Sequence, residues 1–252
     1  TTFEYAPANT ESYDKLKRKV SSYASTISKL LRWESKNKID DLIRLKSGNL
    51  DTNFLVEAKQ RVDNIYFRKQ TVKSEKISVC LLLDESGSMS GERIERTREV
   101  AVLFVEALKK VPHVELFVYG HTADMKHVFK GGKYDYDETF GALPRTNVIV
   151  YKEPGFNNES SVASAEARSQ NRDGVAILEV AKRVRKFTQD KVLYLVISDG
   201  SPSAKGYSGY THTRDCVNKV EKMGMHIMQV AIARGVDSSS MFKNYVTFSD
   251  IS

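Results

Sequence analysis

The stretch ISVCLLLD (77–84) constrains this chain more than any other feature. It is a nearly unbroken apolar run of strand length, and only its last residue is charged. A strand with one face in water alternates apolar and polar residues; a continuous run marks a strand covered on both faces. Such a strand needs helices above and below it, and the sequence that follows supplies them. ERIERTREVAVLFVEALKKV (92–111) has helical periodicity and ends in Lys109 and Lys110, where cations suit a helix C-terminus. HVELFVYG (113–120) reads as a strand, DGVAILEVAKRVRKFT (173–188) as a helix and KVLYLVISDG (191–200) as a strand. THTRDCVNKVEKMG (211–224) is then a helix closed by Gly224, and MHIMQVAIA (225–233) a last strand. Strand–helix alternation of this kind predicts an α/β fold, a doubly wound, mostly parallel sheet of about six strands.

Before residue 76 the pattern is different. Leu16, Val20, Tyr23, Ile27 and Leu30 recur at helical spacing, predicting an amphipathic helix over 12–34 with Ser12 at its cap. A second, short helix is expected from Asp51 or Thr52 to Val62. The division expected is a helical N-terminal extension over 1–75 and an α/β domain over 76–252. Trp33, the single tryptophan, is expected to anchor the first helix. The stretch from Lys130 to Arg172, with Gly131, Gly132, Pro144, Pro154 and Gly155, is expected to be loop-rich and partly mobile.

Composition narrows the class. A hydrophobic fraction of 40% over 252 residues supports a sizeable core. No apolar run approaches the roughly 18 residues of a transmembrane helix, so no membrane association is expected. Cys80 and Cys216 are too few for a disulfide framework, which points to a reducing, cytoplasmic setting. The opening TTFEYAPANT has neither an initiator Met nor a signal-peptide pattern, and reads as part of a longer protein. Of the net charge of +7, about +6 falls within residues 1–76. A solvated basic helix is the simple explanation; an acidic partner or nucleic acid is the alternative.

Chemistry concentrates at two strand ends. In a parallel sheet, ligands bind beyond the strand C-termini. Asp84 ends one strand and Asp199 another, so two carboxylates converge on one edge. Ser86 and Ser88 follow Asp84 at alternate positions and add hydroxyls. Few carboxylates, hard oxygen donors and room for water describe a Mg²⁺ site, with Mn²⁺ or Ca²⁺ as alternatives. With no His or Cys in this set, zinc is not expected. His121 and Asp124, after the second strand, read as ordinary loop residues, with a place on the same edge as the alternative for His121 and a supporting acceptor as the alternative for Asp124. A polar turn explains DESGSMSGE alone, but not its pairing with VISDG. No G-x-S-x-G elbow, G-x-G-x-x-G fingerprint or P-loop is present, so serine hydrolysis, dinucleotide binding and ATP hydrolysis are not expected.

DESGSMS (84–90) matches the D-x-S-x-S signature of the von Willebrand factor A (VWA) fold and its metal-ion-dependent adhesion site, and VISDG (196–200) resembles that site's second segment. The resemblance implies a VWA/Rossmann-like sheet. It also implies a further ligand from a loop before a helix, in family members a Thr. Here that loop reads NRDG, with Asn171 at the Thr position and Asp173 two residues on. This departure resembles the C-terminal region of cobaltochelatase CobT-type subunits. SGNLDTNFLVEA, VDNIYFRK and RTNVIVYKEP resemble other segments of that family, so the likeness runs from about residue 40 to the end. It implies a metal held by Asp84, Ser86, Ser88 and Asp199, completed by Asn171 or Asp173, with one position left for a partner's carboxylate. The implied role is a protein-interaction module, not catalytic alone, that works with a AAA+ ATPase of the MoxR/CobS type and passes its work to a client. A subunit of an ATP-dependent cobalt or magnesium chelatase, and a nucleic-acid-associated protein, are the alternatives.

Overall fold

The computed structural model describes residues 1–36, 39–47, 49–50, 66–71, 76–124, 127–130, 133–136, 145–204, 207–232 and 237–247. In chain order the elements are β1 (Thr2–Tyr5), α1 (Thr10–Lys36), β2 (Ile39–Leu45), β3 (Asn49–Leu50), β4 (Tyr66–Thr71) and β5 (Ile77–Asp84). They continue with α2 (Glu92–Leu108), β6 (Val114–Asp124), β7 (His127–Lys130), β8 (Lys133–Tyr136), β9 (Arg145–Lys152) and α3 (Asp173–Phe187). β10 (Lys191–Ser198), α4 (Gly209–Lys222), β11 (Met225–Ala231) and β12 (Tyr245–Thr247) complete the chain.

Seven strands form the main sheet in the order β1-β9-β6-β5-β10-β11-β12. Every neighbouring pair is parallel except β6 with β9. The class is the expected one: α/β, doubly wound and mostly parallel, of the VWA/Rossmann-like kind. β5 lies at the centre, and its alternating side chains divide the core. Val79, Leu81 and Leu83 pack with Val100, Val105 and Leu108 of α2 and with Tyr13 and Val20 of α1. Cys80 and Leu82 point the other way, against Ile177 and Val180 of α3 and Val217 of α4. Period-2 alternation in a continuously apolar strand gives each face its own core, and each buried leucine contributes roughly 1.5–3 kcal/mol.

Three sequence expectations change. First, β9 lies inside the stretch expected to be loop-rich, and its Val148, Ile149, Val150 and Tyr151 are buried. The glycines and prolines flank this strand; its own core, NVIVY, has none. Second, Asn9 rather than Ser12 caps α1: the Ser12 N–H donates to Asn9 Oδ1 at 3.1 Å. Third, the apolar stripe of α1 splits. Leu16 and Val20 face the core, and so do Tyr13, Ala24 and Leu31. Tyr23 and Leu30 are 68% and 60% exposed. α1 lies on α2, and its line of contact runs through 13, 16, 20, 24 and 31, leaving 23, 27 and 30 of the expected stripe outside it.

The segment before β5 also contributes strands. β1 forms one edge of the main sheet, and β2, β4 and β3 pair antiparallel in a sheet of their own. The helix expected over 51–62 lies outside the described residues, as do the side chains of Trp33 and Asp124. Among the described residues, no helix is long and apolar enough to cross a membrane.

Candidate metal centre

The chain enters the site along β5. Asp84 is its last residue and is fully buried. The chain then turns through Gly87–Met89 into α2. Asp84 Oδ1 accepts the Ser86 N–H at 2.9 Å, and the Ser86 and Ser88 hydroxyls lie 3.0 Å apart. The hook read from the sequence is therefore a hydrogen-bonded turn, with Ser86 buried and Ser88 exposed.

Glu85 turns away from the edge and anchors this turn from below. Its carboxylate accepts from the Tyr151 hydroxyl at 2.6 Å and from Arg168 Nε at 3.2 Å. A side chain at Gly120 would stand 1.8 Å from Glu85 Oε1, so the neighbouring strand must carry glycine there. Burial pushes Glu85 up to about 7, against the pull of Tyr151 and Arg168.

Asp199 follows β10 at the same edge and is also buried. Its Oδ1 accepts the Ser201 N–H at 3.1 Å, and its Oδ2 pairs with Arg93 Nη1 at 3.2 Å. The same Arg93 nitrogen donates to the Ser88 carbonyl at 3.0 Å. Arg93, in the first turn of α2, thus lays a positive charge at the mouth of the site.

Asn171 is buried and ties the two strand-end loops together. Its Oδ1 accepts the Ser203 N–H at 2.5 Å, while its Nδ2 donates to Asp84 Oδ2 and to the Ser201 carbonyl, both at 3.3 Å. A backbone N–H can only donate, so the Ser203 contact fixes which end of the amide is oxygen. The amide nitrogen therefore faces Asp84.

Asp173 opens α3 and is buried against His121, a residue of β6 that pairs in register with Asp84. One ligand atom from each of Asp84, His121 and Asp173 can lie within 4.8 Å of the others. His121 Nε2 stands 3.8 Å from Asp173 Oδ1. Neither ring nitrogen of His121 nor Asp173 Oδ1 has a hydrogen-bond partner among the described residues. Buried polar atoms are almost always paired, because leaving one unpaired costs about 1–3 kcal/mol. A divalent cation between them would satisfy one ring nitrogen of His121 and Asp173 Oδ1 beside the second buried carboxylate, Asp84, so the residues fit a metal.

The electrostatics agree. Burial pushes Asp84 up to about 7; the charge of Asp199 adds to this, and hydrogen bonds from Ser86 and Asn171 oppose it. Asp173 is raised well above the carboxylate range by burial and by the charges of Asp84 and Asp199. Burial lowers His121 to about 4, leaving the imidazole neutral at pH 7.

All six residues singled out in the sequence lie at this one edge. The sequence reading preferred a loop histidine at 121 and left it out of the ligand set; His121 lies within β6, fully buried. The available signal was its place at the end of an apolar strand adjoining β5. With an imidazole in the cluster, the argument against zinc loses its premise.

No protein-family model matches the chain. The uncharacterized protein YojO of Bacillus subtilis (strain 168) is 25% identical over 251 residues. That match takes in 95% of this chain and 37% of YojO, so the chain spans little more than a third of that relative. Among solved structures, the vWF domain of the type V pili tip protein Mfa5 from Porphyromonas gingivalis is 14% identical, with a TM-score of 0.35 over 52% of this chain and 40% of that one. An aerotolerance-related membrane protein from Bacteroides fragilis NCTC 9343, crystallised with multiple mutations to serine, is 16% identical, with a TM-score of 0.35 over 64% of this chain and 74% of that one. The pilus adhesin RrgA from Streptococcus pneumoniae is 16% identical, with a TM-score of 0.30 over 53% of this chain and 21% of that one. The strand order above, not these partial overlaps, defines the fold.

Proposed function

We propose that this chain is a metal-dependent protein-interaction module that presents a divalent cation at the C-terminal edge of its sheet. The observation that carries this reading is the set of unpaired buried atoms on His121 and Asp173 beside Asp84. Asp84 and Asp173 would hold the cation from below. Ser86, Ser88 and Asp199 would face it from the outer side. Bound there, the cation supplies a positive centre for an incoming carboxylate. Arg93 adds a second charge of the same sign at the mouth, so the surface suits an acidic side chain from a partner. Asn171 takes a positioning role: it holds the loop after β10 against Asp84 and so fixes the spacing of the two carboxylates.

The partner proposed is a AAA+ ATPase of the MoxR/CobS type, with Mg²⁺ as the first cation to test. This rests on the likeness of DESGSMS, NRDG and VISDG to CobT-type subunits. No nucleotide-binding motif occurs in the chain, so the energy for acting on a client would come from the partner.

The test begins with metal-stripped protein. A dication at about 100 times its Kd should raise unfolding stability by about 2.7 kcal/mol. Asp84→Ala should abolish that gain. Equal stability of the wild type with EDTA and with every dication tried would end the metal reading. Capture of an AAA+ ATPase from the native host in Mg²⁺ but not in EDTA would support the partner; equal capture in both would remove the metal from the interaction.

A further inference from the structure

We infer that the cation at this edge is a first-row transition ion, such as Mn²⁺, Co²⁺ or Zn²⁺, and that His121 Nε2 is one of its ligands. The inference rests on the metal reading above and adds to it the class of ion and a nitrogen donor.

Position is the first argument. His121 is in register with Asp84 on the neighbouring parallel strand, so the backbone ladder brings both side chains to one level of the edge. Asp173 approaches from α3 and completes the group. The three come from three separate elements, and each is at most 3% exposed.

The second argument is what His121 lacks. Its ring is fully enclosed, yet neither nitrogen is bonded among the described residues. Its nearest charged neighbour, Asp173 Oδ1, is 3.8 Å from Nε2. That is too far for a hydrogen bond. Two ligands each about 2.1 Å from a shared tetrahedral ion stand about 3.4 Å apart, so the observed gap is close to one an ion would span.

The third argument is donor chemistry. Mg²⁺ and Ca²⁺ favour oxygen ligands throughout, whereas imidazole favours the later first-row ions. Ser86, Ser88 and Asp199 still offer oxygen on the outer side. The whole set is therefore mixed nitrogen and oxygen, which Mn²⁺, Co²⁺ and Zn²⁺ accept.

The experiment uses the full chain, stripped of metal and titrated calorimetrically with Mg²⁺, Mn²⁺, Co²⁺ and Zn²⁺. Co²⁺ and Zn²⁺ should bind at least about tenfold tighter than Mg²⁺, with Mn²⁺ between them. Pulsed electron paramagnetic resonance on the Mn²⁺-loaded wild type should show coupling to a directly bound imidazole nitrogen. His121→Ala, with His121→Gln as a bulkier companion, should lose that coupling and most of the preference while Mg²⁺ affinity stays within about threefold. Tight Mn²⁺ binding without nitrogen coupling, or equal affinity for Mg²⁺ and Zn²⁺, would overturn the inference while leaving the metal reading intact. Failure of every dication to bind would overturn both. If neither variant folds, the wild-type spectrum decides alone.

Discussion

Two buried carboxylate sites on the same sheet are treated in opposite ways. Just past the C-terminal end of β9, Glu153 is surrounded by its own donors. Arg183 reaches it through Nε at 2.7 Å and Nη2 at 2.6 Å, Tyr119 at 2.9 Å and Tyr5 at 3.1 Å. Burial pushes Glu153 upward, but the bonds and charge of Arg183, aided by Tyr119 and Tyr5, prevail and hold it below the usual carboxylate range. At the C-terminal end of β5, Asp84 and Asp173 have no such cation among the described residues, and both are raised. The fold evidently can neutralise a buried acid with its own arginine. Where it does not, the charge is left for something from outside.

The comparison predicts its largest effect at the satisfied site. Arg183→Met should leave the buried Glu153 without its cation, held only by Tyr119 and Tyr5, and cost about 3–5 kcal/mol in denaturant unfolding. It should leave the gain from added dication unchanged. A loss below about 1 kcal/mol would mean that the Glu153 cluster is not the closed network described.

At the open site the sign reverses. Asp173→Asn removes a crowded buried acid and should stabilise the metal-free protein by roughly 0.5–2 kcal/mol. The same change should sharply weaken the response to dication. Destabilisation of the metal-free form would show that Asp173 serves the fold first.

The smallest effect is in the pH dependence of metal-free stability. Folded Asp84 and Glu85 keep their protons to about 7, against ordinary values of 3.8 and 4.5. Their contribution is complete below those ordinary values and is lost as pH rises towards 7. His121 runs the other way: at about 4 folded against 6.5 ordinarily, its contribution is present above 6.5 and lost as pH falls towards 4. His212, lowered by burial and by the charges of Arg172 and Lys219, acts in the same direction as His121. Asp173, raised like Asp84, brings the acid group to three carboxyls, which outweigh the two imidazoles. Urea unfolding in EDTA should therefore show stability declining from about pH 5 to pH 7. With saturating dication the decline should shrink to the share of Glu85, which is not a ligand, since the metal takes Asp84 and Asp173 deprotonated. A metal-free profile that rises over this range would contradict the crowding of buried acids.

Legibility differed between these regions for a physical reason. Asp84, Ser86, Ser88 and Asp199 sit beside apolar runs whose strand character is local, and a strand end is a place that sequence can mark. Asn171 and Asp173 were reachable only through the family resemblance, which implies a ligand in the loop entering this helix. His121 was not, because a histidine at a strand end has the same local pattern whether it faces water or a neighbouring aspartate. Only the parallel register of β5 and β6 separates the two cases. The Glu153 cluster was equally hidden: Tyr5, Tyr119, Glu153 and Arg183 are scattered along the chain, and no spacing rule joins them.

The sequence by itself determined the α/β class, the central strand 77–84, the helices α2, α3 and α4, and the edge at which Asp84 and Asp199 meet. Periodicity and unbroken apolar runs suffice for these, because they reflect whether one face or both leave water. Tertiary structure alone decided that β1 and β9 extend the sheet and that the second half of the α1 stripe stays exposed. It also decided that Asn171 turns its nitrogen to Asp84 and that His121 is enclosed with two carboxylates and no partner. Each of these depends on which distant segment lies alongside, and burial acts on that neighbour as much as on the residue itself.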